Sequence, residues 1–284
     1  MVVAFGENTD SQCNVPNNLS NAVAVAAGGY FSLALTNGIV IGWGDNTYGE
    51  TTIPSGLSSV VGIAAGADHA VALRSDGSVT NWGTYSDGFG NSCSVTNRTH
   101  ATAPPLSNVM AIAAGYGQDL ALLSNGTLYA WGETTASGTT VPTSLNLTNV
   151  AAIACGWGFN LALSSNGTVT AWGTNLYSVT NVPSDLITNV AAIAAGSYNA
   201  LALRKTGTVE AWGQTNGGVT NVPVGLSNVV AIATGGNAGL ALQGNGNVVA
   251  WGRCLRRIIR VDQYSNRHEW PQSDLGGIST QSCH

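Results

Sequence analysis

The chain has 284 residues, only 8% of them charged, with 37 glycines and a formal net charge of −5 at pH 7. Residues 1–252 carry 11 acidic and 4 basic side chains (−7), and residues 253–284 carry 3 acidic and 5 basic (+2). The large first part therefore has no basic stripe, which argues against nucleic acid as its partner, and no apolar run is long enough to insert in a membrane.

The chain opens Met1-Val2-Val3-Ala4-Phe5-Gly6, already inside a strand and with no signal peptide, which reads as a gene fragment that begins within a repeat. One motif then recurs six times. It runs Val-x-Ala-Ile-Ala-Ala-Gly, a variable gap, Leu-Ala-Leu, a Gly turn, then Val-x-Ala-Trp-Gly. The Trp-Gly pairs start at Trp43, Trp82, Trp131, Trp172, Trp212 and Trp251, and Phe5-Gly6 is a degenerate seventh copy. Steps of 38, 39, 49, 41, 40 and 39 residues, built only from short strand-like runs, predict an all-β propeller with six readable blades and an N-terminal closing strand.

In the second unit, Val60–Gly66 predicts a strand of small residues, Ala70–Arg74 a second and Ser78–Trp82 a third. The Ser75-Asp76-Gly77 turn between the last two recurs at Asn37-Gly38, Asn125-Gly126, Asn166-Gly167, Thr206-Gly207 and Asn245-Gly246, where a tight hairpin needs positive φ. Pro54, Pro142, Pro183 and Pro223 fit a short fourth strand or irregular edge, since proline donates nothing to a central ladder. Blades converge toward the axis, so Ala and Gly belong there, and the six tryptophans read as inter-blade packing. The 49-residue step holds an insertion from Thr84 to Leu106, with Tyr85, Asp87, Phe89, Cys93, Arg98 and His100. Long insertions often carry function, and a tolerated surface loop explains it equally well.

After Gly252 the pattern stops. Residues 253–284 hold five of the nine basic side chains and no readable repeat, so they are expected to be an atypical basic tail rather than a genuine seventh blade. Five cysteines share no repeat position and show neither a disulfide framework nor zinc spacing. Cys155 replaces an alanine and reads as a small buried residue; Cys13 and Cys254 follow equivalent strand ends and become neighbours if the ring closes.

The stretches Gly66–Gly83, Gly156–Gly173 and Gly196–Gly213 resemble the repeat of the regulator of chromosome condensation family, and the resemblance covers residues 1–252. It implies a seven-bladed propeller of four-stranded blades. The short period looks less like the eukaryotic guanine-nucleotide exchange factor. It looks more like bacterial extracellular members, including the propeller-type β-lactamase inhibitor proteins. Asn46–Pro54 is close to the linker of those proteins, and Asn8–Pro16 is a weaker copy. In the inhibitors an aromatic-lined rim meets the target enzyme.

The gaps before Leu-Ala-Leu all emerge on one rim. They supply the candidate binding residues Tyr30, Phe31, Asp68, His69, Tyr116, Trp157, Phe159, Tyr198 and Asn199, and four of the six gaps hold aromatics, a composition suited to protein contact. His69 beside Asp68 also resembles a scaffold histidine of the family repeat. No catalytic motif, phosphate loop or calcium-loop spacing occurs. The expected protein is a non-enzymatic, monomeric binding module needing no cofactor or metal, extracellular or cell-surface, whose partner is an unidentified protein. The alternatives are a structural spacer or adhesin repeat, a β-lactamase-inhibitor-like protein and, least favoured, a guanine-nucleotide exchange factor.

Overall fold

A computed structural model describes residues 2–17, 19, 21–83, 103–132, 137–145, 147, 149–186, 188–252, 257–261 and 278–280. Six three-stranded antiparallel sheets follow one another along the chain. Blade 1 is Ala22–Ala27, Phe31–Thr36 and Ile39–Gly44; blade 2 is Val60–Ala65, His69–Arg74 and Val79–Gly83. Blade 3 is Val109–Ala114, Gln118–Leu123 and Leu128–Gly132; blade 4 is Val150–Cys155, Phe159–Ser164 and Val169–Gly173. Blade 5 is Val190–Ala195, Asn199–Arg204 and Val209–Gly213; blade 6 is Val229–Gly235, Ala238–Gln243 and Val248–Gly252. The chain is thus an all-β propeller.

The first strand of each blade is its innermost. Its small residues end at one central depression, lined by Ala27, Ala65, Ala114, Cys155, Ala195 and Thr234. Larger side chains lie further out, where neighbouring sheets diverge. The core units between blades 1 and 6 each draw on two successive blades rather than one. Phe31, Leu33 and Leu35 of blade 1 pack with Val60, Ala70, Ala72 and Trp82 of blade 2, and the pattern repeats through blade 6. A blade therefore cannot bury its own apolar face, and the array is stabilised between neighbours. Trp43, Trp82, Trp131, Trp172, Trp212 and Trp251 are all buried in these seams.

Three details depart from expectation. The sheets have three strands rather than the four implied by the resemblance. Where it is described, the linker after a Trp-Gly is irregular or a 3₁₀ turn, such as Ser184–Leu186, and its backbone serves tryptophans instead of a ladder. Trp43, Trp82, Trp212 and Trp251 donate their indole N–H to the carbonyls of Gln12, Glu50, Val179 and Val219, at 2.7–2.8 Å.

The hairpin turns are also of two kinds. Only Asn37-Gly38 has both residues at positive φ. In the others glycine alone is left-handed, while Asp76, Asn125, Asn166 and Asn245 accept the backbone N–H two residues on, an Asx turn. Finally, Val2–Gly6 has a partner: it pairs antiparallel with Arg257–Val261, which pairs in turn with Ile278–Thr280.

Candidate functional site

In blades 1 to 5 a glycine follows the innermost strand for a steric reason. A Cβ on Gly156 would lie 2.0 Å from Phe159 Cε1, and one on Gly66 would lie 2.1 Å from His69 Cε1. The side chain three residues after that glycine folds beneath it and into the seam with the next blade. Phe31, His69, Phe159 and Asn199 are accordingly 0% exposed, so these four expected rim residues are scaffold and cannot touch a partner. Each opens the second, middle strand of its blade, whose first five residues are all buried because the strand is covered on both faces.

Polar members of that buried set carry hydrogen bonds across the seams. His69 Nε2 lies 2.9 Å from Asp119 Oδ1 of blade 3. Gln118, which the sequence pattern does not single out, donates to the Gly156 carbonyl at 2.8 Å. Asn199 donates to the Gly236 carbonyl and accepts from Thr234 Oγ1. Backbone bonds join neighbouring gaps too: Gly29 N to Ala67 O at 2.6 Å, and Trp157 N to Ser197 O at 3.1 Å.

The remaining expected residues keep some exposure. Tyr30 is 36% exposed, Asp68, Trp157 and Tyr198 are half-buried, and Tyr116 is 8% exposed. Three of them form one structure. Tyr116 stacks on Trp157 with ring centroids 4.4 Å apart and 17° between planes, and Trp157 stacks on Tyr198 at 4.8 Å and 22°. Tyr177 closes the series edge-on to Tyr198 at 5.4 Å and 64°. The ladder spans blades 3, 4 and 5. Burial, with the nearby Tyr177, pushes the Tyr198 hydroxyl above its ordinary pKa.

Tyr177 is not among the residues expected from sequence because it lies in a linker rather than a gap. It is 53% exposed, and its neighbour Leu176 is 51% exposed. Tyr177 and Ser178 are both left-handed, at φ 57° and 59°. The corresponding positions between blades 5 and 6 are Gly217 and Gly218, at φ 89° and 76°. A tyrosine in a conformation its sister linker gives to glycine was the available signal.

The central depression has a volume of about 80 Å³, well below the roughly 300–1,000 Å³ of a small-molecule site. Cys155 is buried with its thiol pushed far up by desolvation, which suits packing rather than chemistry. Among the described residues no group of three or more His, Cys, Asp or Glu side chains could hold a metal ion, and no helix is long and apolar enough to cross a membrane. Residues 84–102 of the insertion, and Cys254, lie outside the described residues.

Comparison with known proteins agrees on the architecture. The regulator of chromosome condensation (RCC1) repeat matches residues 22–50 and 150–178. No curated protein matches the sequence. Among solved structures, yeast RCC1 (Prp20), determined with Kap60 bound, is similar at 19% identity and a TM-score of 0.71, covering 88% of this chain and 78% of that one. The ectodomain of the Physcomitrella patens receptor kinase CR4 is similar at 22% identity and a TM-score of 0.69, covering 89% and 73%. The ectodomain of the Arabidopsis thaliana receptor kinase ACR4 gives 18% identity and a TM-score of 0.65, covering 88% and 92%. At these identities the likeness is one of fold.

Proposed function

We propose that this chain, a propeller built of RCC1 repeats, is a non-enzymatic protein-recognition module that binds through the rim carrying Tyr30, Tyr116, Trp157, Tyr198 and Tyr177. The observation that carries the reading is the continuous ladder of four rings held across three blades. Aromatic side chains supply large contact area at little entropic cost and dominate interface energetics. Here Tyr116 and Trp157 are fixed by backbone bonds to the next blade, so their geometry is set before a partner arrives. The shallow depression beside them favours a partner with a surface over a small ligand.

The fold leaves the partner open. Kap60 is bound to the yeast protein, which makes a protein partner a reasonable class for this chain without naming one. We assign recognition to residues 1–252, acting as a monomer outside the cell, because the neutral-polar composition suits an exported protein. The test is affinity capture on the immobilised chain from extracellular protein, with β-lactamases included. Comparison is with a variant combining Tyr30→Ala, Trp157→Ala and Tyr198→Ala. A partner held by the wild type and lost by the folded variant is expected; equal capture by both would remove the rim from the mechanism. No capture by the folded wild type would favour a spacer.

A further inference from the structure

We infer that the aromatic rim takes a basic polypeptide segment, one carrying arginine or lysine next to an apolar or aromatic anchor. This deepens the recognition reading above and rests on it. The site itself is the ladder, and two further observations specify its occupant.

Within blades 1 to 6 charge is sorted between the two rims. Asp45 follows the glycine that ends blade 1, and its N–H donates to the Tyr30 carbonyl at 2.9 Å. Asp68 lies in the gap of blade 2, and the buried Glu50 is close enough to Asp45 and Asp68 to feel both charges. Within blades 1 to 6 the described cations Arg74 and Arg204 instead end second strands at the turn rim, with Lys205 next in the chain, alongside Asp76, Asp185 and Glu210, while Arg257 and Arg260 belong to the strand paired with Val2–Gly6. There the signs mix, and Arg204 pairs with Asp185 and Glu210. One face is thus acidic across blades 1 and 2 and aromatic across blades 3 to 5. Such a face attracts a cationic partner and repels a phosphate backbone.

The strained linker supplies the anchor point. Left-handed backbone is costly for an L-residue, and strain of this kind clusters where the presented side chain is used. Here it holds Tyr177 half exposed against Tyr198, with exposed Leu176 beside it. The three stacked rings leave no gap for a base or sugar to insert between them. Exposed edges and the Leu176 side chain offer apolar contact to a side chain laid along the ladder.

The test uses three labelled peptides of equal length on a Gly-Ser background, carrying arginine with tyrosine, glutamate with tyrosine, or arginine with serine. Anisotropy titrations with the full chain are expected to show the arginine–tyrosine peptide binding at least tenfold more tightly than the others. The preference should shrink as salt rises. Asp45→Asn with Asp68→Asn should weaken that peptide by about fivefold or more, since the amide keeps the local acceptor while removing charge. Asp76→Asn with Glu210→Gln, at the turn rim, should leave it within twofold. Equal or tighter binding of the glutamate–tyrosine peptide, abolished by Trp157→Ala, would overturn the charge preference and leave the recognition reading standing. Absence of binding by all three overturns the inference, and the capture experiment then judges the recognition reading separately.

Discussion

The two rims of this propeller are made by the same six repeats, yet they treat sequence in opposite ways. At the turn rim the copies do one job. Gly38, Gly77, Gly126, Gly167, Gly207 and Gly246 are left-handed, and so are Asn21, Ser59, Asn108, Asn149, Asn189 and Asn228 just before each inner strand. Carbonyls of Gly38, Gly77, Gly167 and Gly207 accept the N–H that opens the next blade, at 3.0–3.3 Å. The aromatic rim also starts from a common glycine, but the next residues diverge among Gly29, Ala67, Tyr116, Trp157, Ser197 and Gly236. Repetition marks the backbone jobs that every blade must do, while divergence marks the side chains released from them.

The sharpest break of that contrast is a seam tryptophan set against a ladder tryptophan. Trp212 is buried and donates to the Val179 carbonyl. Trp212→Ala should lower unfolding free energy by about 3–5 kcal/mol, read from urea denaturation. Trp157→Ala removes two stacked contacts at a half-buried position and should cost only about 1–2 kcal/mol. Binding to a captured partner should fall by at least about thirtyfold, the loss of a hot spot of ~2 kcal/mol. If the two alanines destabilise equally, the ladder is another seam and the rim reading fails.

A second comparison concerns left-handed residues on the two rims. Asn228 adopts φ 55° while its carbonyl accepts the Gly244 N–H at 2.9 Å. Asn228→Ala should cost about 1 kcal/mol, because alanine resists that conformation more than asparagine. Tyr177→Gly should move stability by less than about 1 kcal/mol, since relief of strain offsets the lost ring contact and the freer unfolded chain. It should still weaken partner binding severalfold. A Tyr177→Gly protein that binds normally would show that the strained tyrosine is incidental.

The fold was legible because the sequence prints its period: six Trp-Gly pairs, the alanine strands and the Gly turns each map to one structural task. Tyr116, Trp157 and Tyr198 could be read as a group because all three sit in variable gaps, and the fold stacks them together. Phe31, His69, Phe159 and Asn199 are buried because the gap ends inside the middle strand of a blade, which is covered on both faces. His69 shows the missing information most clearly. Its partner Asp119 lies 50 positions away, and only the stacking of blades brings the two together. Tyr177 needed an alignment of linkers rather than gaps, with its place matched to Gly217.

The smallest effect concerns charge at the aromatic rim. Glu50 has its carboxyl pushed above the ordinary value of 4.5, first by burial and further by Asp45 and Asp68, against the backbone N–H of Tyr48 that it accepts. A group whose folded pKa is raised binds its proton more tightly in the native state. Stability contributed through Glu50 is therefore greatest below its unfolded pKa and declines as pH rises through the folded one. Glu50→Gln should flatten that decline, read as a smaller fall in Tm from pH 4 upward past the carboxyl range, with little change below pH 4. Asp76 at the turn rim has its pKa lowered by the Ser78 hydroxyl, so its small contribution runs the other way, lost as pH falls through that lowered value. If Asp76→Asn and Glu50→Gln shift the profile in the same sense, the two rims do not differ in the electrostatic character that a basic partner would read.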